Sequence, residues 1–178
     1  MKKIAFLILL IISSLVCTSC TSSWRYLLMS AEGIMDESFD EIVEAIKLKD
    51  SQKLIDVFAD SVKEQEGFDE SVTEFINYVK GDIVYFSSAY EYMLTEKKVK
   101  ENGKTRREGN TSFTIETSTD KYYVAVAQCF VDENDKDNEG VYSVYIIDAK
   151  NKKDPYVYRG HGGIFKPGIT IDDGTWNR

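Results

Sequence analysis

The sequence predicts an α+β fold, with three N-terminal helices packed on a curved, cone-like antiparallel sheet of about five to six strands. Three observations carry this prediction. Apolar residues recur at helical spacing in three runs before Gly81, and at strand spacing after it. Asn102-Gly103 is a hairpin signal, because this pair suits a type I′ turn. Tyr122 to Val131 is apolar on both of its alternating faces, which marks a central strand covered on two sides.

The elements follow in chain order. Met1-Lys2-Lys3 is a positive start, and Ile4 to Ile12 is an unbroken apolar run. That run is shorter than the ~18–20 residues needed to span a bilayer and has the proportions of a signal-peptide core. Residues 1–19 are therefore read as a signal segment, 20–37 as a tether and 38–178 as one α+β domain. Within the tether, Tyr26 to Met29 either opens a short helix or lies near a membrane. Ser38-Phe39-Asp40-Glu41 has the Ser-x-x-Glu form of a capping box, and Phe39, Ile42, Val43 and Ile46 form one stripe behind it. Asp50 or Ser51 caps a second helix with Leu54, Ile55, Phe58 and Val62 on one face. Phe68 or Asp69 opens a third with Val72, Phe75, Ile76 and Val79, and Gly81 suits a positive φ after it. Strands are expected over Ile83 to Leu94, over Thr111 to Thr117 with Phe113 and Ile115 inward, over Tyr122 to Val131, over Val141 to Ile147 and over Tyr156 to Tyr158. Thr119-Asp120 is a tight turn, and Gly160 to Arg178 is irregular with one terminal strand.

Composition narrows the function classes. The chain has 178 residues and a formal net charge of −8, with Asp+Glu 30 against Lys+Arg 22, which speaks against a nucleic-acid binder. Three Cys do not make a disulfide framework, and 11 Gly with 2 Pro exclude collagen-like or low-complexity chains.

The segment Cys17-Thr18-Ser19-Cys20-Thr21-Ser22-Ser23, closing the apolar run, resembles the lipobox of bacterial lipoproteins. Thr18 and Ser19 match the small positions before the invariant Cys, and Cys17 stands where that family carries Leu. The resemblance implies cleavage before Cys20, acylation of Cys20 (palmitate among the chains) and a lipid anchor on the outer face of the cell membrane. Two or three acyl chains hold firmly, at about 0.8 kcal/mol per buried CH₂. Such a mature chain has 159 residues, Lys+Arg 20 against Asp+Glu 30, a charge of −10 and Cys129 as its lone free thiol.

The order of helices before a long strand meander resembles the nuclear-transport-factor-like, or cystatin-like, α+β cone superfamily, over about residues 38–165. A closer resemblance is to an uncharacterised lipoprotein family of clostridia and related Gram-positive bacteria. Its marks here are Lys49-Asp50 with Leu54 and Phe58, Gly81, Gly103-Lys104, Thr117 with Tyr122-Tyr123, and Gly140-Val141-Tyr142. That family supplies no catalytic residue, so none is assigned.

Candidate chemistries were weighed on the residues. His161 is the sole His and no set of His/Cys ligands can be assembled, so no metal or cofactor is expected. The run Asp132 to Gly140 fails EF-hand spacing in both registers, since Ile146 or Lys136 falls where an oxygen ligand is needed, and reads as a solvated loop. Cys129 is expected as a small core hydrophobe. The cluster Lys97, Lys98, Lys100, Lys104, Arg106 and Arg107 flanks the Asn-Gly turn as a hairpin tip, solvated or in contact with an anionic polymer or lipid headgroups. The Tyr-rich set Tyr85, Phe86, Tyr90, Tyr92, Tyr122, Tyr123, Tyr142, Tyr145, Tyr156 and Tyr158 suits either wide strands or a binding face. The expectation is a lipid-anchored module that binds a small ligand or a protein on its sheet face, with a homodimer through that face as one form. The alternative is a small cone-fold enzyme, isomerase- or hydrolase-like, with a Tyr/Asp pair in its mouth.

Overall fold

A computed structural model describes residues 28–88, 94–152 and 166–174. Among them are four helices followed by six strands: α1 Ala31–Leu48, α2 Ser51–Val57, α3 Asp60–Lys63, α4 Phe68–Tyr78, β1 Ile83–Phe86, β2 Thr95–Glu101, β3 Lys104–Thr117, β4 Lys121–Asp132, β5 Gly140–Asp148 and β6 Gly168–Asp172. The strands form one open sheet in the order β1-β3-β4-β5-β6, with β2 paired to β3 beyond β1. The expected α+β architecture is therefore present, and the central strand is β4, as its two apolar faces required.

Five details differ from the sequence reading; the simplest is that the strand expected over Ile83 to Leu94 stops at Phe86, and Ser87 and Ser88 are not strand. First, α1 begins seven residues before Ser38: Ser30 is its cap, accepting from the Gly33 N–H at 3.1 Å. Ala31, Ile34 and Met35 extend the apolar stripe backwards and are buried. Burial of one such side chain contributes about 1.5–3 kcal/mol, so the stripe outweighs the capping-box pattern at Ser38, which lies inside the helix. Residues 31–37 thus belong to the domain and not to a tether. Second, Phe58 and Val62 do not continue α2. Phe58 is extended, and the Ala59 N–H donates to the Val141 carbonyl at 3.0 Å, so the chain leaves the helix to pair with β5. Val62 lies on α3 and is buried all the same. Third, β3 runs back to Lys104 because the whole hairpin pairs, with Asn102 and Gly103 both at positive φ. Fourth, β6 pairs parallel to β5, so the sheet is mixed. The strand expected at Tyr156 to Tyr158 lies outside the described residues.

The helices cover one face of the sheet. Phe39 of α1 stacks on Phe113 of β3 with ring centroids 3.8 Å apart. Leu54, Val72, Phe75, Ile76, Val124, Val126, Phe130, Val144 and Ile146 join the same core. The Lys49-Asp50 pair acts as a joint between helices. Lys49 closes α1 in the left-handed region at φ 54, and its ammonium donates to the Ile76 carbonyl at the end of α4 at 2.7 Å. Asp50 then caps α2 by accepting from the Lys53 N–H at 3.0 Å.

Two glycines are demanded by shape. A Cβ at Gly140 would come 2.7 Å from the Ala59 nitrogen, where the interhelical segment crosses β5. Gly81 has φ +77 two residues past the end cap of α4, and a Cβ there would lie 2.8 Å from the Ser118 and Thr119 hydroxyls.

Candidate binding groove

The face of the sheet turned away from the helices carries the candidate site. Strand alternation sends Asn110, Ser112 and Thr114 of β3, Tyr123, Ala125 and Ala127 of β4, and Ser143, Tyr145 and Ile147 of β5 to this face. Two register shifts break the ladder here, between Arg107 and Glu108 against β4 and between Ala127 and Gln128 against β5. At the first, Phe130 is the extra residue on β4, and Phe130 and Val131 both turn into the core. At the second, Tyr142 is the extra residue on β5 and stays 36% exposed. Bulges re-aim side chains in this way.

Between them lies a cavity of about 370 Å³. Ala127 and Cys129 belong to its apolar part, Tyr142 and Asn138 line it from the β5 side, and Lys97, Arg106 and Glu108 bring charge from the hairpin. A second hollow of about 530 Å³ shares Lys97, Arg106, Glu108 and Asn138 and continues toward Asp132 and Asp135. The charges are interlocked. The Arg106 Nε donates to Glu108 at 3.0 Å, its Nη1 lies 3.5 Å from Asp132, and Lys97 Nζ is 3.8 Å from Glu108. Burial works against the Arg106 charge, and Glu108, Cys129 and Asp132 around it together outweigh that effect and raise its pKa. Gln128, 4% exposed, also lines the cavity, and its Oε1 and the buried Thr111 Oγ1 are acceptors without a donor.

Cys129 is 4% exposed, and burial pushes its thiol up to about 11. At neutral pH it is a thiol with no thiolate character, so it is floor and not nucleophile. The expected core role holds, with the addition that this core residue borders a cavity.

The acidic loop is exposed over 133–137, as expected, whereas Asp132 at the end of β4 is not. Asp132 is 2% exposed. Its Oδ1 accepts from the backbone N–H of Asn134 at 2.9 Å and of Asp135 at 3.3 Å, and its Oδ2 accepts from the Asn138 amide at 3.3 Å. Burial pushes this carboxyl up, but those donors together with Arg106 outweigh it and hold the group below the usual carboxylate range. Among the described residues no three His, Cys, Asp or Glu side chains are grouped as metal ligands.

The other residues singled out in the sequence disperse. Lys98, Lys100 and Lys104 are exposed on the hairpin as expected, whereas Arg107 is buried, donating to Glu96 at 2.6 Å and to the Met29 carbonyl at 3.0 Å. Hydrogen bonding to the chain entering α1 draws it inward. Of the aromatic set, Tyr122 and Tyr145 are buried, Tyr85 is exposed, and Tyr123 lies under the Lys152 ammonium at 3.7 Å. A Tyr/Asp pair does exist. The Tyr145 hydroxyl donates to the Asp172 carboxylate, which also accepts the Gly174 N–H at 2.7 Å. Both residues are buried, and the pair locks β6 onto β5. Sequence spacing could not join residues 145 and 172, because only the parallel pairing of β6 brings them together. Cys20, Tyr90, Tyr92, Tyr156, Tyr158 and His161 lie outside the described residues.

A comparison with curated proteins returned no match. The family model that matches covers residues 41–149, from the second half of α1 through the end of β5, and so spans the helices, the central strands and the groove. That is more than half of the chain, which therefore belongs to DUF5104, a domain family of unknown function.

Proposed function

We propose that this protein is a lipid-anchored, extracytoplasmic binding module of the Gram-positive lipoprotein kind, whose groove holds a small amphipathic ligand. The observation that carries the ligand reading is the 370 Å³ cavity at the double register shift, in the lower part of the size range of small-molecule sites. Its lining combines an apolar floor with a tyrosine ring and a charged end. Because Lys97 and Arg106 are balanced by Glu108 in the cavity wall, the ligand's polar end carries both an acidic and a basic group, as an amino acid or short peptide does. Its apolar part lies along Tyr142, Ala127 and Cys129.

The anchor reading is supported by Lys2-Lys3, the short apolar run and the small residues before Cys20. No helix among the described residues is long and apolar enough to cross a membrane.

Calorimetry with a panel of free amino acids and dipeptides tests the groove. One member is expected to bind, with affinity reduced at least about tenfold by Tyr142→Ala, a loss of about 1.4 kcal/mol. Binding that is indifferent to both Tyr142→Ala and Arg106→Ala, or absent across the panel, defeats this assignment. For the anchor, Cys20→Ser is expected to move the protein from the membrane fraction to the soluble fraction. A variant still pelleting with membranes refutes lipidation at Cys20.

A further inference from the structure

The N-terminal chain and the β2–β3 hairpin meet at one end of the domain. Arg107 on β3 donates to the carbonyl of Met29, next to the Ser30 cap of α1, at 3.0 Å. The same guanidinium donates to Glu96 and lies over the Phe130 ring, 5.3 Å from its centroid. Arg107 is thus a fixed joint between the start of the described chain and the hairpin. Beyond that joint the hairpin runs on to its Asn102-Gly103 turn, about 17 Å of strand.

The basic residues are sorted by strand alternation. Lys98, opposite Arg107, and Lys100, opposite Thr105, lie on the Met29 side of the hairpin, while Lys97 and Lys104 line the groove side. Lys98, Lys100 and Lys104 are exposed and have no ion pair among the described residues. Of the nearby carboxylates, Glu108, Asp132 and Asp135 line the groove side, Glu96 is taken by Arg107, and Glu133 accepts the Thr105 N–H.

We propose that this hairpin docks on the anionic headgroups of the membrane to which the chain is tethered, through Lys98 and Lys100. The inference rests on lipid anchoring at Cys20. From Cys20 to Met29 the extended chain reaches at most about 30 Å, and the hairpin spans about half of that distance from the same point. A domain carrying −10 is repelled as a whole by an anionic surface. A basic finger beside the tether supplies the contact that sets its orientation and leaves the groove side of the hairpin open to ligand.

The test uses the lipidated protein purified from membranes, with Thr105→Cys, opposite Lys100, carrying a polarity-sensitive fluorophore; Cys129, buried as a thiol, stays unlabelled. Vesicles of phosphatidylcholine are compared with vesicles that also contain phosphatidylglycerol. Retention on both kinds reports the anchor. A blue shift of the label on the anionic vesicles alone, reversed by high salt, reports the docking. Each lysine at an anionic surface is worth about fivefold, so Lys98→Glu and Lys100→Glu together lower the docked fraction's equilibrium constant at least about 25-fold. Retention on both vesicles with the same emission on each, or a shift that survives the double substitution, overturns the docking while leaving the anchor intact. Loss from neutral vesicles overturns the anchor and the geometry built on it. A label that shifts only with soluble poly(glycerol phosphate) overturns the membrane as partner in favour of a wall polymer.

Discussion

Asp132 shows how far a residue's role can stand from its appearance in the sequence. It opens an acidic run, yet its carboxylate is buried and spent on the Asn134 and Asp135 N–H groups, the Asn138 amide and Arg106. Asp132→Asn places an amide donor against two existing donors, and is expected to cost about 1–3 kcal/mol in urea unfolding at pH 7. Because the folded carboxyl is held below its ordinary 3.8, its contribution is complete above that pH and is lost as pH falls through the folded value. The variant's stability deficit should therefore shrink as unfolding is repeated toward pH 3. A deficit unchanged with pH would remove the charge from the explanation. Arg107 teaches the same lesson and Cys129 the opposite one. Both were expected from type and position, one in the core and one on the hairpin, and burial confirmed the first and reversed the second.

Among the elements, the Lys49-Asp50 pair was legible for the Asp50 cap, and the structure adds what Lys49 does. Lys49 ends α1 in a conformation that glycine usually supplies, and its ammonium covers carbonyls at the end of α4. A cation there complements the helix dipole. Lys49→Met should keep the α1 turn and lose the cap, lowering stability by about 1 kcal/mol in chemical denaturation, whereas Lys49→Arg should recover part of it. Equal values for Met and Arg would exclude a role for the charge. The strands' faces were legible up to the two register shifts and not beyond them, where Val131 joins Phe130 in the core and Tyr142 leaves the face of Val144 and Ile146, because a period of two is local information. Their lengths and partners were not, since Phe58 leaves its helix to meet Val141 and β3 gains residues from β2, contacts distant in sequence.

At the scale of the whole molecule, β6 closes the sheet beside β5 in parallel, and the bond from Tyr145 to Asp172 fastens it. Ile169 and Ile171 pack against the main core from this strand. Tyr145→Phe should cost about 1–3 kcal/mol, because it leaves the buried Asp172 carboxylate short of a donor. A chain ended at Lys166 should lose more than that, together with its sharp unfolding transition. Urea curves matching the parent would show that β6 is dispensable. The sequence by itself determined the fold class, the apolar stripes of the helices, the strand faces up to the register shifts, the Asn-Gly hairpin and the central place of β4, because hydrophobic period and turn chemistry are written within a few residues. Only the tertiary structure decided where α1 begins, that the sheet is mixed, that Tyr145 meets Asp172, and that two register shifts open a groove between Tyr142 and Arg106. Those features arise from pairings between distant segments, where the ladder's register and not the local pattern sets which side chains share a face.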